Sequence, residues 1–98
     1  MAFLVVRTRL ADEDLLEIWL YIAQNNIDAA DRLLEKIDKK CQLLADSPRV
    51  GVRRDDLALG VFCLIEGKYL IFYRIINETV EILRILHGAR NLKAIFHQ

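Results

Sequence analysis

"KYLIFYRIINETVEILRILHGARNL", residues 68–92, decides the fold. Two apolar runs rich in β-branched and aromatic residues, 68–76 and 79–87, are parted only by Asn77 and Glu78. Two residues suffice for a hairpin and are far too few for a parallel crossover, so the runs pair antiparallel. Upstream, "VFCLIE" (61–66) has the same character, and Gly67 alone separates it from the next run. Three strands therefore meander. With 77 and 78 as the turn, Arg74 falls opposite Glu81, which marks Arg74 as one half of a structural salt bridge.

A sheet that is wet on one side alternates apolar with polar residues, and this one does not. In 79–87 strict alternation puts Val80, Ile82, Arg84 and Leu86 on one face and Glu81, Leu83, Ile85 and His87 on the other. Both sets are largely apolar. Helices cover only one face of such a sheet, so the chain tail or a second protein is expected to shield part of the other.

The first half supplies those helices. "AFLVVRT" (2–8) reads as a strand, and "ADED" (11–14) loads acid onto a helix start, where the positive end of the dipole favours it. Leu15, Ile18, Trp19 and Ile22 then recur at helical spacing, with Leu16, Leu20 and Ala23 as a second stripe beside them. "QNN" (24–26) ends that helix, and Asn26 or Asp28 caps the next. Its apolar positions are 30, 33, 37, 41 and 44, and "DSPRVG" (46–51) stops it. So short a link makes an antiparallel helical hairpin. Residues 52–60, "VRRDDLALG", form a charged connector in which Arg53 and Arg54 are neutralised by Asp55 and Asp56. The order is β-α-α-β-β-β with a short C-terminal tail. This is an α+β fold, with a helical hairpin packed on a small antiparallel sheet, in one domain spanning 1–98.

Composition narrows the function. Hydrophobic residues make up 54% of the 98, above the roughly 45–50% usual for soluble domains. That surplus must show on the surface or meet a partner, and the partner is the reading preferred. Zero net charge argues against a general nucleic-acid binder. Yet residues 1–48 carry −3 and residues 49–98 carry +3, so a local cationic face remains available. Cys41 and Cys63 stand alone in apolar contexts and read as core thiols; no metal spacing and no cofactor loop appears, so neither a metal nor a cofactor is expected. Nothing resembles a signal peptide or a membrane span, so a cytoplasmic location is expected.

The cations near the end of the last strand are the candidate site: Arg84, His87 and Arg90, where an anionic target could reach them. His87 has an ordinary pKa near 6.5 and is the one candidate general base, though a strand-end histidine is more often structural.

"DLLEIWLYIAQNN", "LLADSPRVG", "YLIFYRI" and "VEILRILHGARNL", in this order and spacing, resemble the ParE branch of the ParE/RelE toxin superfamily, the toxin halves of bacterial type II toxin–antitoxin pairs. The resemblance covers nearly the whole chain. It implies the architecture above and a ParD-like antitoxin whose disordered tail folds as it wraps the toxin. Leu16, Leu20, Ala23 and Leu34, on second apolar stripes, are the expected antitoxin contacts. ParE-like members are described as DNA gyrase inhibitors that bind rather than catalyse, with DNA contacted only through the antitoxin; Arg84, His87 and Arg90 are then the target contacts. RelE-like members cut mRNA on the ribosome, and on that alternative reading His87 is the catalytic residue, although Tyr69 or Leu70 stands where an arginine is expected. A third reading is an inactive member that serves only in an autoregulatory complex. ParE-like chains often carry an arginine after the glycine that opens the first meander strand; Val61 and Phe62 stand there instead. Exposed apolar stripes also admit a homodimer or hetero-oligomer.

Overall fold

The computed structural model describes residues 2–97. Strand β1 (Leu4–Arg7) leads into helix α1 (Arg9–Ala23), and helix α2 (Ile27–Leu43) returns antiparallel to it. Then come β2 (Val52–Arg53), β3 (Phe62–Glu66), β4 (Tyr69–Ile76), β5 (Thr79–His87) and a short helix α3 (Leu92–Phe96). The sheet order is β1-β5-β4-β3-β2. Strands β2 to β5 pair antiparallel as the short turns require, whereas β1 lies parallel to β5 at the edge. A parallel neighbour is possible there because the helical hairpin carries the chain back across the sheet before β5 is reached.

The caps explain the helix boundaries. Thr8 begins α1, its hydroxyl accepting from the Ala11 N–H at 3.1 Å and donating to the Leu83 carbonyl at 2.8 Å. The helix therefore starts ahead of "ADED", and only Asp12 of that acidic run lies in its first turn. Asn26 caps α2 by accepting from the Ala29 N–H at 3.0 Å. At the β4–β5 turn Asn77 adopts φ 55°, and Ile76 pairs with Thr79. Arg74 meets Glu81 in register, with Nε 2.7 Å from Oε1.

A β-bulge re-phases the sheet. The register slips by one residue on β5, so that Phe72 pairs with Arg84 while Tyr73 pairs with Ile82. One extra residue exchanges the faces beyond it. Val80, Ile82 and Ile85 consequently share the core with Ile37, Cys41, Phe62, Ile71 and Tyr73 beneath the helices. Leu86, with Leu83 packed beside it, joins Cys63 and Phe72 on the opposite face. Strict alternation had placed Ile85 and Leu86 the other way round.

Part of that opposite face is covered by the chain itself. Leu57 of the connector and Val61, just ahead of β3, are buried on it, and Leu92, Ile95 and Phe96 of the tail pack over them. The Phe96 ring stands edge-on to Phe72, with centroids 4.9 Å apart. His97 Nε2 meets the Leu57 carbonyl. Of the two expected covers, the tail takes this place, helped by the connector. Apolar side chains that remain exposed include Leu16 and Leu20 on α1, Leu59 of the connector, and Leu4, Val52 and Ile65 of the strands.

On the helix side, Gly51 is held where a side chain has no room. A Cβ there would stand 2.6 Å from the Tyr73 hydroxyl, which accepts the Gly51 N–H at 3.0 Å. Cys41 and Cys63 are buried, and burial pushes the Cys41 thiol up to about 11.

Candidate functional site: a cleft at the end of the last strand

The site begins with Asp14. This carboxylate lies three residues after Ala11 and four before Ile18, on the inward stripe of α1, and is 6% exposed. A buried charge requires a partner. Strand β5 supplies one: Arg84 Nε and Nη2 donate to Asp14 Oδ2 and Oδ1 at 2.8 and 2.9 Å. The Ile85 N–H donates to Oδ2 at 3.0 Å. This paired hydrogen bond holds the Arg84 guanidinium above its ordinary pKa. Three bonds from one carboxylate thus lock α1 to β5 just before the strand ends.

Beyond the lock, α1 and the β4–β5 ends diverge into a cleft of about 510 Å³. Ile18 and Ile85 line its depth, Glu17 and Tyr21 stand on the helix side, and Lys68, Tyr69, His87 and Arg90 stand on the strand side. The strand side is fixed by backbone bonds. Gly88 N–H donates to the Lys68 carbonyl at 2.9 Å, and Arg90 N–H to the His87 carbonyl at 3.1 Å. His87 is exposed; its Nδ1 accepts from the Ala89 N–H at 3.0 Å, and its ring stands perpendicular to Tyr69 at 5.5 Å. The Tyr69 hydroxyl is pushed above its usual pKa, first by burial and then by the nearby Tyr21 phenol.

The three cations named from the sequence therefore occupy different settings. His87 and Arg90 share the cleft; Arg84 lies behind it, with 22% of its side chain exposed and two of its donors given to Asp14. Sequence reasoning missed Asp14, Lys68, Tyr21 and Tyr69. Asp14 had a signal, since it is an acid on a stripe of core residues. Lys68 and Tyr69 had one too, since the hairpin register carries the start of β4 alongside His87, whereas Tyr21 had none, because the packing of α1 against the strand ends is a tertiary feature.

The second stripe of α1 does face outward: Leu16 is 58% and Leu20 51% exposed. Ala23 and Leu34 are half-buried. Val61 and Phe62 are both core residues on opposite faces of the sheet, and Phe62 stacks on Tyr73 with centroids 5.3 Å apart. The cation beside them comes from the connector, where Arg53 lies over the Phe62 ring at 5.5 Å. Arg53 and Arg54 are indeed neutralised by Asp55 and Asp56, with contacts of 3.0 and 2.9 Å. Among the described residues no cluster is arranged to hold a metal ion, and no helix is long and apolar enough to cross a membrane.

Comparison with known proteins adds three findings. Residues 5–92 match the family model described as ParE toxin of type II toxin-antitoxin system, parDE. Two curated relatives from Caulobacter vibrioides are similar along most of both chains. Toxin ParE3 is 35% identical, covering 92% of this chain and 91% of its own, and Toxin ParE1 is 30% identical, covering 89% and 91%. Among solved structures, a chain of the chromosomal ParDE system from P. aeruginosa superposes with a TM-score of 0.74 at 22% identity, covering 88% of this chain and 96% of that one. A chain of the toxin–antitoxin complex RelBE2 from Mycobacterium tuberculosis gives 0.66 at 29%, covering 92% and 95%.

Proposed function

The chain belongs to the ParE toxin family of type II toxin–antitoxin systems, and on that footing we propose that it poisons DNA gyrase by binding, until a ParD-like antitoxin covers it. The observation that carries the reading is the pair His87 and Arg90, exposed at the tip of a strand that Asp14 and Arg84 lock to α1. A binding poison needs donors held rigidly in the geometry its target requires, because ordering them on contact costs affinity. The lock meets that need. Arg84 acts as a positioning residue here, and His87 and Arg90 make the target contact.

The antitoxin is assigned to the other side of α1. Leu16 and Leu20 form an exposed apolar stripe, bordered by the half-buried Ala23 and Leu34. An amphipathic segment that folds on binding would lay its own apolar face along that stripe.

Purified gyrase, supercoiled plasmid and this protein test the reading through trapped cleavage complexes. The expected result is linear DNA with covalently attached gyrase. Arg90→Ala is expected to raise the required protein concentration about tenfold or more, as loss of a charge-assisted contact does. Cleaved transcripts without trapped gyrase would transfer the function to the ribonuclease reading, with His87 as its base. No growth arrest on expression would leave only the autoregulatory role.

A further inference from the structure

The cleft contains more than a contact between protein surfaces calls for. Tyr21 is 73% exposed at its rim, an unusual setting for a large ring, and Tyr69 and His87 face it from the strands. Three aromatic rings therefore surround one opening. Two cations flank them, Lys68 and Arg90, and neither is ion-paired among the described residues. The bond from Gly88 to the Lys68 carbonyl keeps these two cations on one wall.

We propose that this cleft binds one unpaired nucleotide of single-stranded nucleic acid, the base stacking on Tyr21 beside the mutually perpendicular Tyr69 and His87 rings and the phosphates meeting Lys68 and Arg90. Ring faces recognise ring faces, and a base offers its face only when it has left the stack. Duplex DNA is thereby disfavoured. The cleft volume of about 510 Å³ suits a ligand of nucleotide size. Glu17 on the opposite wall can accept a hydrogen bond from a base's exocyclic amine. The site requires no bond to be cut and does not depend on which enzyme the toxin poisons. It adds a direct nucleic-acid contact to a protein expected to meet DNA only through its antitoxin.

Fluorescence anisotropy of a short fluorescein-labelled single-stranded oligodeoxynucleotide, titrated with the antitoxin-free protein, tests this. Tyr21→Ala is expected to weaken binding about tenfold and Tyr21→Phe to retain it, since stacking needs the ring and not the hydroxyl. Lys68→Ala and Arg90→Ala are each expected to lower the slope of log affinity against log salt by about 0.7. Lys36→Ala, on the far side of the helical hairpin, should leave both readouts unchanged. Tyr21 is exposed, so its variants should keep the native circular dichroism spectrum. The proposal is overturned if Tyr21→Ala binds like the parent or if the matching duplex binds as tightly. It is equally overturned if an acidic peptide, in place of the strand, shows the Tyr21 dependence.

Discussion

Asp14 carries more of this structure than any other single polar residue. It is the one buried charged side chain among the described residues, and it receives three hydrogen bonds from β5. Asp14→Asn keeps the shape but removes the charge opposite Arg84. We expect a loss of about 2–4 kcal/mol in urea unfolding, the lower part of the range for a broken buried pair because Arg84 is partly exposed. Asp14→Asn paired with Arg84→Met should recover part of that loss, because the orphaned cation is then gone. Cys41 gives a pH prediction. Its folded thiol keeps its proton to about 11 whereas an unfolded one ionises at its usual 9.0. The folded state then binds more protons in that window, so stability is full below pH 9 and falls as pH rises toward 11. Alkaline unfolding followed by tryptophan fluorescence should show this fall, and Cys41→Ala should flatten it. At this scale the sequence was partly legible. The Arg74–Glu81 pair followed from turn length alone. Ile85 and Leu86 were assigned to the wrong faces because nothing in a run of apolar residues marks where a bulge will fall.

Elements were more legible than residues. A two-residue turn and a helical hairpin between Gln24 and Asn26 are local signals that lie where the structure has a boundary, whereas α2 already ends at Leu43, ahead of Pro48. The face assignment of β5 failed for a physical reason. Period-two reading fixes a strand's orientation only when one face is polar, and here both are apolar, so a slip of one residue leaves the pattern unchanged. The tail is the other lesson: "NLKAIF" has only three apolar positions that matter, yet they cover the apolar cluster around Phe72 and Leu86. Phe96→Ala removes the ring that stands on Phe72. It should cost about 2 kcal/mol, less than for a fully buried phenylalanine because Phe96 is only half-buried. Amide exchange should speed up in β4 around Phe72 if the tail is the seal. Unchanged exchange there would mean that Leu57 and Val61 suffice.

On the scale of the molecule, the apolar surplus has two destinations. Part of it lies on the second sheet face, around Cys63, Phe72 and Leu86, where the protein's own tail and connector meet it. The rest is exposed surface: Leu16 and Leu20 form the outward stripe of α1, turned away from the cleft with Tyr21 and His87, and Leu4, Val50, Val52, Leu59 and Ile65 are exposed elsewhere. One helix thus separates two surfaces: an apolar one assigned to the antitoxin and a cationic, aromatic one assigned to the target. This division is the central claim. Co-expression of the Leu16→Asp, Leu20→Asp variant with the cognate antitoxin tests it most directly. The prediction is growth arrest as strong as that of the parent, no longer relieved by the antitoxin, because the stripe is lost while the cleft is intact. Normal relief by the antitoxin, or a variant that no longer arrests growth although it folds, would contradict the division.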